Sequence, residues 1–114
     1  MDEILTQIKK LGEFEIKNVS MIALISDTSR EVVFYCDYNN CRVQSNSLVE
    51  EYGINSAIIE DFYDSVTDII RNSKDFKSGL MNIVKVSGET IEVTYEDKNC
   101  RSYKIIKEWS SSSK

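Results

Sequence analysis

Asn55 to Ser73 reads NSAIIEDFYDSVTDIIRNS. Within it Ile58, Ile59, Phe62, Tyr63, Val66, Ile69 and Ile70 recur at intervals of three and four, the period of a helix. At about 100° per residue they fill one arc of roughly 140°. Glu60, Asp61, Asp64 and Asp68 fall on the opposite arc. One side of this helix therefore requires an apolar surface to cover, and the other carries a row of carboxylates. Asn55 is placed to cap the helix, with Ile54 and Ile59 as a hydrophobic staple around it. The acidic row has two readings: a solvated helix back, or a surface that recognises a basic partner.

The flanking segments supply the surface to be covered. Val19 to Ser26, VSMIALIS, is apolar on both faces and reads as a strand buried on at least one side. Asp27-Thr28-Ser29 is turn chemistry. In the next strand, Glu31 to Tyr38, Val32, Phe34 and Cys36 share one face, and Val33 and Tyr35 the other. Asn39-Asn40 tolerates positive φ and closes a hairpin onto a short strand, Cys41 to Ser45. Ser47 to Tyr52 is a helical turn ended by Gly53, just before the long helix. Beyond that helix, Leu80 to Val86 and Glu89 to Glu96 form a second hairpin around Ser87-Gly88. The last strand alternates Ile91, Val93 and Tyr95 inward with Thr90, Glu92 and Thr94 outward, so it keeps one solvated face. At the other end, residues 2 to 11 place Ile4, Leu5, Ile8 and Leu11 on one helix face, with Gly12 as the stop. Lys98 to Trp109 fits a strand through YKII, and a helix through Tyr103, Ile106 and Trp109; the helix is preferred.

These elements predict an α+β fold. A single antiparallel sheet of about five strands is covered on one face by the long amphipathic helix and the N-terminal helix. Residues 1–109 form one domain, and residues 110–114 are expected to be a disordered serine-rich tail. The expected core contains Ile22, Leu24, Val33, Phe34, Ile59, Phe62, Val66, Ile69, Ile83, Val84, Ile91 and Val93.

Composition narrows the chemistry. The 114 residues carry a net charge of −5, which disfavours nucleic acid and anionic membranes, both of which select for lysine and arginine. No signal-like or membrane-spanning apolar run occurs, so a cytoplasmic protein is expected. There is no histidine, hence neither the commonest general base nor the commonest zinc ligand. The three cysteines, Cys36, Cys41 and Cys100, contain no CxxC pair and read as free thiols. Around Asn39-Asn40, Cys36 faces Val43 and Cys41 faces Tyr38, so the first two thiols are not opposed. The four glycines are isolated, and neither a phosphate loop nor a GxSxG elbow is present. Asp61, Asp64 and Asp68 lack the loop carbonyls a calcium site draws on. The expectation is no enzyme, no cofactor and no metal.

What remains is electrostatic recognition. From Val43 to Ile70 there are six acids and no lysine or arginine. Such segregation creates a negative field that speeds and orients encounter with a basic protein. The partner-binding set is therefore Glu50, Glu51, Tyr52, Glu60, Asp61, Asp64 and Asp68, with Tyr35, Tyr38 and Tyr63 as further aromatics nearby.

The stretch EVVFYCDYNNCRVQSNSLVEEYGINSAIIEDFYDSVTDII resembles the YezG-like family of bacterial antitoxin/immunity proteins. The resemblance rests on the aromatic strand around Val33-Phe34-Tyr35 and on the Tyr52-Gly53-Ile54 element before an acidic helix with Phe62 and Tyr63. Tyr95-Glu96-Asp97 at the end of a later hairpin and Trp109 complete it, over roughly residues 19 to 109. Leu80-Met81 departs from the family's tryptophan-threonine at that point. The resemblance implies an immunity protein that binds and neutralises a cognate toxin domain from a polymorphic or contact-dependent system. That toxin is expected to be a nuclease, basic because it grips phosphates. The protein would act as a monomer or weak dimer without turnover. The alternative is a chaperone for a secreted effector, distinguished by a stable dimer and an exposed apolar groove; a small enzyme is the remote third option.

Overall fold

The computed structural model describes residues 1 to 113. Five strands form one antiparallel sheet: β1 (Lys17–Ile25), β2 (Arg30–Tyr38), β3 (Cys41–Gln44), β4 (Leu80–Ser87) and β5 (Thr90–Asp97). Their order is β3-β2-β1-β4-β5, so the all-apolar strand lies at the centre. Four α-helices accompany them: α1 (Glu3–Leu11), α2 (Ser45–Glu50), α3 (Ser56–Arg71) and α4 (Ser102–Ser113). The predicted α+β class and five-strand antiparallel sheet are what the chain adopts.

Each local signal has its counterpart. Asn55 caps α3, its side-chain oxygen accepting the Ala57 N–H at 2.9 Å. Asn39 and Asn40 both take positive φ, 53° and 64°, the conformation a two-residue hairpin requires. The resulting register sets Cys36 opposite Val43 and Tyr38 opposite Cys41, as the turn predicts. Gly12 does not stop the first helix by turning left-handed. Its φ is −60°, and the chain continues into a 3-10 turn, Gly12–Phe14. The left-handed residue is Glu15, at φ 63°. Ser45 opens α2 instead of closing β3, because its hydroxyl accepts both the Phe34 N–H (3.3 Å) and the Tyr63 hydroxyl (2.7 Å).

The larger core lies between one sheet face and the pair α1 and α3. Phe34, Cys36, Met21, Ala23, Val84 and Val86 come from the sheet, and Ile4, Leu11, Ile59, Phe62, Val66 and Ile70 from the helices. Phe34 meets Phe62 edge to face, with ring centroids 5.5 Å apart. The buried Cys36 thiol is pushed up to about 11 by desolvation and is an inert part of this core. Asn82 faces the same side, fully buried. Its amide donates to the Lys77 and Leu80 carbonyls (3.0 and 3.1 Å) and accepts the Lys77 N–H (2.8 Å), thereby shaping the loop that leads into β4.

The second face corrects the sequence reading. It is not left open: α4 lies on it, with Ile22, Leu24, Tyr35, Met81 and Ile83 meeting Trp109, Ile105 and Ile106. β1 is therefore buried on both sides, which is the physical reason its sequence is apolar throughout. The serines expected to be a disordered tail instead continue the helix through Ser113; Lys114 lies outside the described residues. The Ser110 hydroxyl bonds the Tyr35 hydroxyl, and Ser111 and Ser112 return hydrogen bonds to the Lys107 and Glu108 carbonyls. A tertiary anchor and back-bonding offset the low helix propensity of serine. Four expected core residues, Val33, Ile69, Ile91 and Val93, are only partly buried. Ile91 and Val93 lie on the edge strand β5, which has a neighbour on one side only.

One carboxylate ties the turns at the end of the sheet together. Asp27 accepts the Gly79 N–H at 2.7 Å and the Ser78 hydroxyl at 2.9 and 3.0 Å, and these bonds lower its pKa from the ordinary value. A lowered folded-state pKa gives stability that is present above the unfolded value, about 4, and is lost as pH falls through the folded one. Urea midpoints measured from pH 6 down to pH 2.5 are therefore expected to fall below about pH 4. The Asp27→Asn protein should show a shallower fall across that window; an unchanged slope would mean that other carboxylates carry it.

Candidate interaction surface

α3 lies across the first sheet face. Tyr63 reaches Ser45 beside Phe34, and Arg71 reaches back to the β1–β2 turn, donating to the Ser26 and Ser29 carbonyls at 3.1 Å. With Ile59, Phe62, Val66 and Ile70 buried, the acids of α3 are turned outward. Glu60, Asp61, Asp64 and Asp68 are all exposed, as are Glu50 and Glu51 at the end of α2. Glu60 and Asp68 are eight residues apart, which on a helix is about 12 Å.

The structure brings two of the predicted residues together through a residue the sequence reading did not select. Arg30, at the start of β2, forks between Glu60 (3.2 Å) and Asp64. Its side chain is 33% exposed, whereas both carboxylates are 61% exposed, so the pairs stabilise by at most about 1 kcal/mol each. Their effect is instead to hold two acids in place and to insert one positive charge into the negative row. Counting charges from Val43 to Ile70 missed Arg30 because it arrives from 30 and 34 residues earlier in the chain. The available signal was its position on the same β2 face as Val32 and Phe34, the face that α3 covers.

Asp61 and Asp68 stand apart from this fork. Asp61 lies on the lip of a small groove of 180 Å³ between α1 and α3, beside Lys10, Leu11, Phe14, Ile58 and Phe62. Tyr52 takes a different place. It packs edge to face on Tyr38, centroids 5.1 Å apart, at the hairpin end of the sheet. There it lines an open cleft of 840 Å³ with Glu15, Lys17, Asp37, Cys41 and Arg42. Partial burial, followed by the neighbouring Cys41 thiol, pushes the Tyr52 phenol up. Asp37 in the same cleft is held low, chiefly by a 2.7 Å hydrogen bond from the Asn18 amide. Arg30 and Tyr38 are at opposite ends of β2, about 26 Å apart along a strand of this length. Of the seven predicted residues, four thus form a row along α3, Glu50 and Glu51 lie at the end of α2, and Tyr52 sits in a separate aromatic corner.

Among the described residues, no three carboxylates or thiols converge as a metal-binding cluster, and no helix is long and apolar enough to cross a membrane. Comparison with protein-family models and with curated proteins finds no significant match.

Proposed function

We propose that this chain is an immunity protein that binds and neutralises a cognate toxin domain, a basic nuclease, through the acidic back of α3. The observation that carries this reading is the row of exposed carboxylates Glu60, Asp61, Asp64 and Asp68, aligned on one rigid helix whose other side is locked into the core. A helix so anchored presents its charges without the entropy loss of ordering a loop. The resemblance of the segment to the YezG-like immunity proteins supports the same partner class. Binding is stoichiometric and requires no cofactor.

Reversing Asp61, Asp64 and Asp68 to lysine together is expected to slow association with the toxin domain by about tenfold or more at low ionic strength. The far-UV spectrum should stay unchanged, because these side chains bury nothing. The difference should shrink in high salt as the charges are screened. Stopped-flow association with the toxin domain measures this, and unaltered rates would remove α3 from the interface.

A specific observation also favours the second reading, a chaperone for a secreted effector. The groove between α1 and α3 exposes apolar surface, with Phe14 40% accessible at its edge. Light scattering separates the two: a stable dimer that holds an unfolded client supports the chaperone, and a monomer bound to a folded toxin domain supports immunity.

A further inference from the structure

The outer edge of β2 is only half paired. β3 matches Tyr35 to Tyr38 and ends at Gln44, so among the described residues no strand lies beside Arg30 to Phe34 on that side. Which backbone groups face the gap follows from the alternation along a strand. The Phe34 N–H bonds the Ser45 hydroxyl, on the β3 side. The Ser29 carbonyl accepts the Ser26 N–H, on the β1 side. Even-numbered residues of β2 therefore point their N–H and C=O outward, and odd-numbered ones point theirs toward β1. Ser45 answers the Phe34 N–H. Among the described residues, no strand answers the N–H and C=O of Val32 or Arg30 on the outer side.

This open stretch is the floor of a groove of 300 Å³. Glu60 and Tyr63 of α3 form one wall and Ile106 of α4 the other. Two carboxylates, Glu60 and Asp64, flank the Arg30 guanidinium on the α3 side, and Glu31, on the α4 side of the strand, accepts the Ser102 hydroxyl at 2.7 Å. The opposite sheet edge, β5, instead carries Glu92 and Glu96 on its solvated face, a common defence of edge strands against pairing.

We propose that the half-open edge of β2 is a docking site for an extended segment of a basic protein partner, which adds as a strand beside Arg30 to Phe34. This rests on the acidic-surface reading above and specifies how the partner is held. An added strand places every second side chain on the α3 side, next to Glu60 and Asp64, where lysine or arginine is favoured. The intervening side chains fall on the α4 side, against Val33 and Ile106, where apolar groups are favoured. The segment recognised thus alternates basic and apolar residues. The outward N–H and C=O of Val32 supply the central backbone bonds.

Amide hydrogen exchange, followed by NMR on the full chain, tests this with a short blocked peptide alternating lysine and valine. In the free protein the Val32 amide exchanges quickly, whereas those of Glu31 and Val33, bonded to β1, are protected. Saturating peptide slows Val32 exchange by about tenfold or more. The Glu60→Lys/Asp64→Lys protein binds the peptide about tenfold more weakly. The same peptide N-methylated at alternate amides gives no protection, a control that leaves the protein's own folding untouched. Equal protection by the N-methylated peptide, or by a glutamate–valine peptide, would overturn the proposal. So would Val32 protection that grows with protein concentration alone, which would assign the edge to a second copy. Capture of a toxin domain with Val32 still exchanging freely would overturn strand addition and leave the immunity reading standing. Peptide protection of Val32 in a protein that captures no toxin domain would support the edge and remove that reading.

Discussion

Replacing Phe34 by alanine is expected to lower the free energy of unfolding by about 4 kcal/mol. Phe34 is fully buried at the centre of the first sheet face. It lies 5.5 Å from the Phe62 ring and 6.3 Å from the Tyr63 ring, both edge to face. Truncation removes the transfer energy of the ring and leaves a cavity between α3 and β2, beside the Ser45 hydroxyl that accepts both the Phe34 N–H and the Tyr63 hydroxyl and so resists collapse. A domain of this size has a total stability of roughly 5–15 kcal/mol, so this one change takes a large share of it. Urea unfolding is the measurement: the midpoint should fall with the slope m unchanged. A loss below about 1 kcal/mol would show that α3 is not seated on this face as described.

The second large effect belongs to α4. Trp109→Ala is expected to cost about 3 kcal/mol and to expose apolar surface on the second sheet face. Trp109 is 7% exposed and lies 5.6 Å from the Tyr35 ring, over the cluster of Ile22, Leu24, Met81 and Ile83. Most of the α4 residues that touch this cluster are Trp109, Ile105 and Ile106, so removing the largest loosens the helix as a whole. The uncovered patch should bind a hydrophobic dye, and the protein should aggregate more readily. Because Trp109 is the single tryptophan, the wild-type chain carries its own reporter. Its emission should shift to the red in the same urea transition that removes the far-UV signal. A red shift well before that transition would mean that α4 undocks independently of the sheet.

The two helices bear differently on the proposed partner surface. α3 presents the acidic row, and the core beneath Phe62 and Val66 fixes the direction in which that row faces. α4 forms only one wall of the β2 groove, through Ile106. Loss of α4 docking should therefore weaken capture of an extended basic segment more than it alters the charge-steered encounter at α3.

Much of the fold was legible because its signals are local. The seven apolar residues of α3, the alternation in β5 and the pair Asn39-Asn40 each act over a few residues, and each specified an element or turn that is present. The C-terminal segment was harder. Tyr103, Ile106 and Trp109 suggested a helix face, yet Tyr103 is 76% exposed and the working face is Ile105, Ile106 and Trp109. Serine composition suggested disorder after Trp109, since composition cannot register that Tyr35, 75 residues earlier, supplies a partner for Ser110. The candidate site was legible as a set of outward acids but not as an arrangement. Arg30 enters it from β2, and Tyr52 leaves it for Tyr38 at the other end of the strand.

The sequence alone thus determined that Asn55 to Ser73 contains a helix with one apolar and one acidic side, because periodicity is a property of consecutive residues. It also determined that this helix needs an antiparallel sheet to cover. Only the tertiary structure decided that the sheet is covered on both faces, that Glu60 and Asp64 share Arg30, and that β3 stops short and leaves the outer edge of β2 half paired. Those outcomes depend on which distant segments pack together and where one strand ends against another. They are set by the summed burial and hydrogen bonding of the whole chain, which no local pattern encodes.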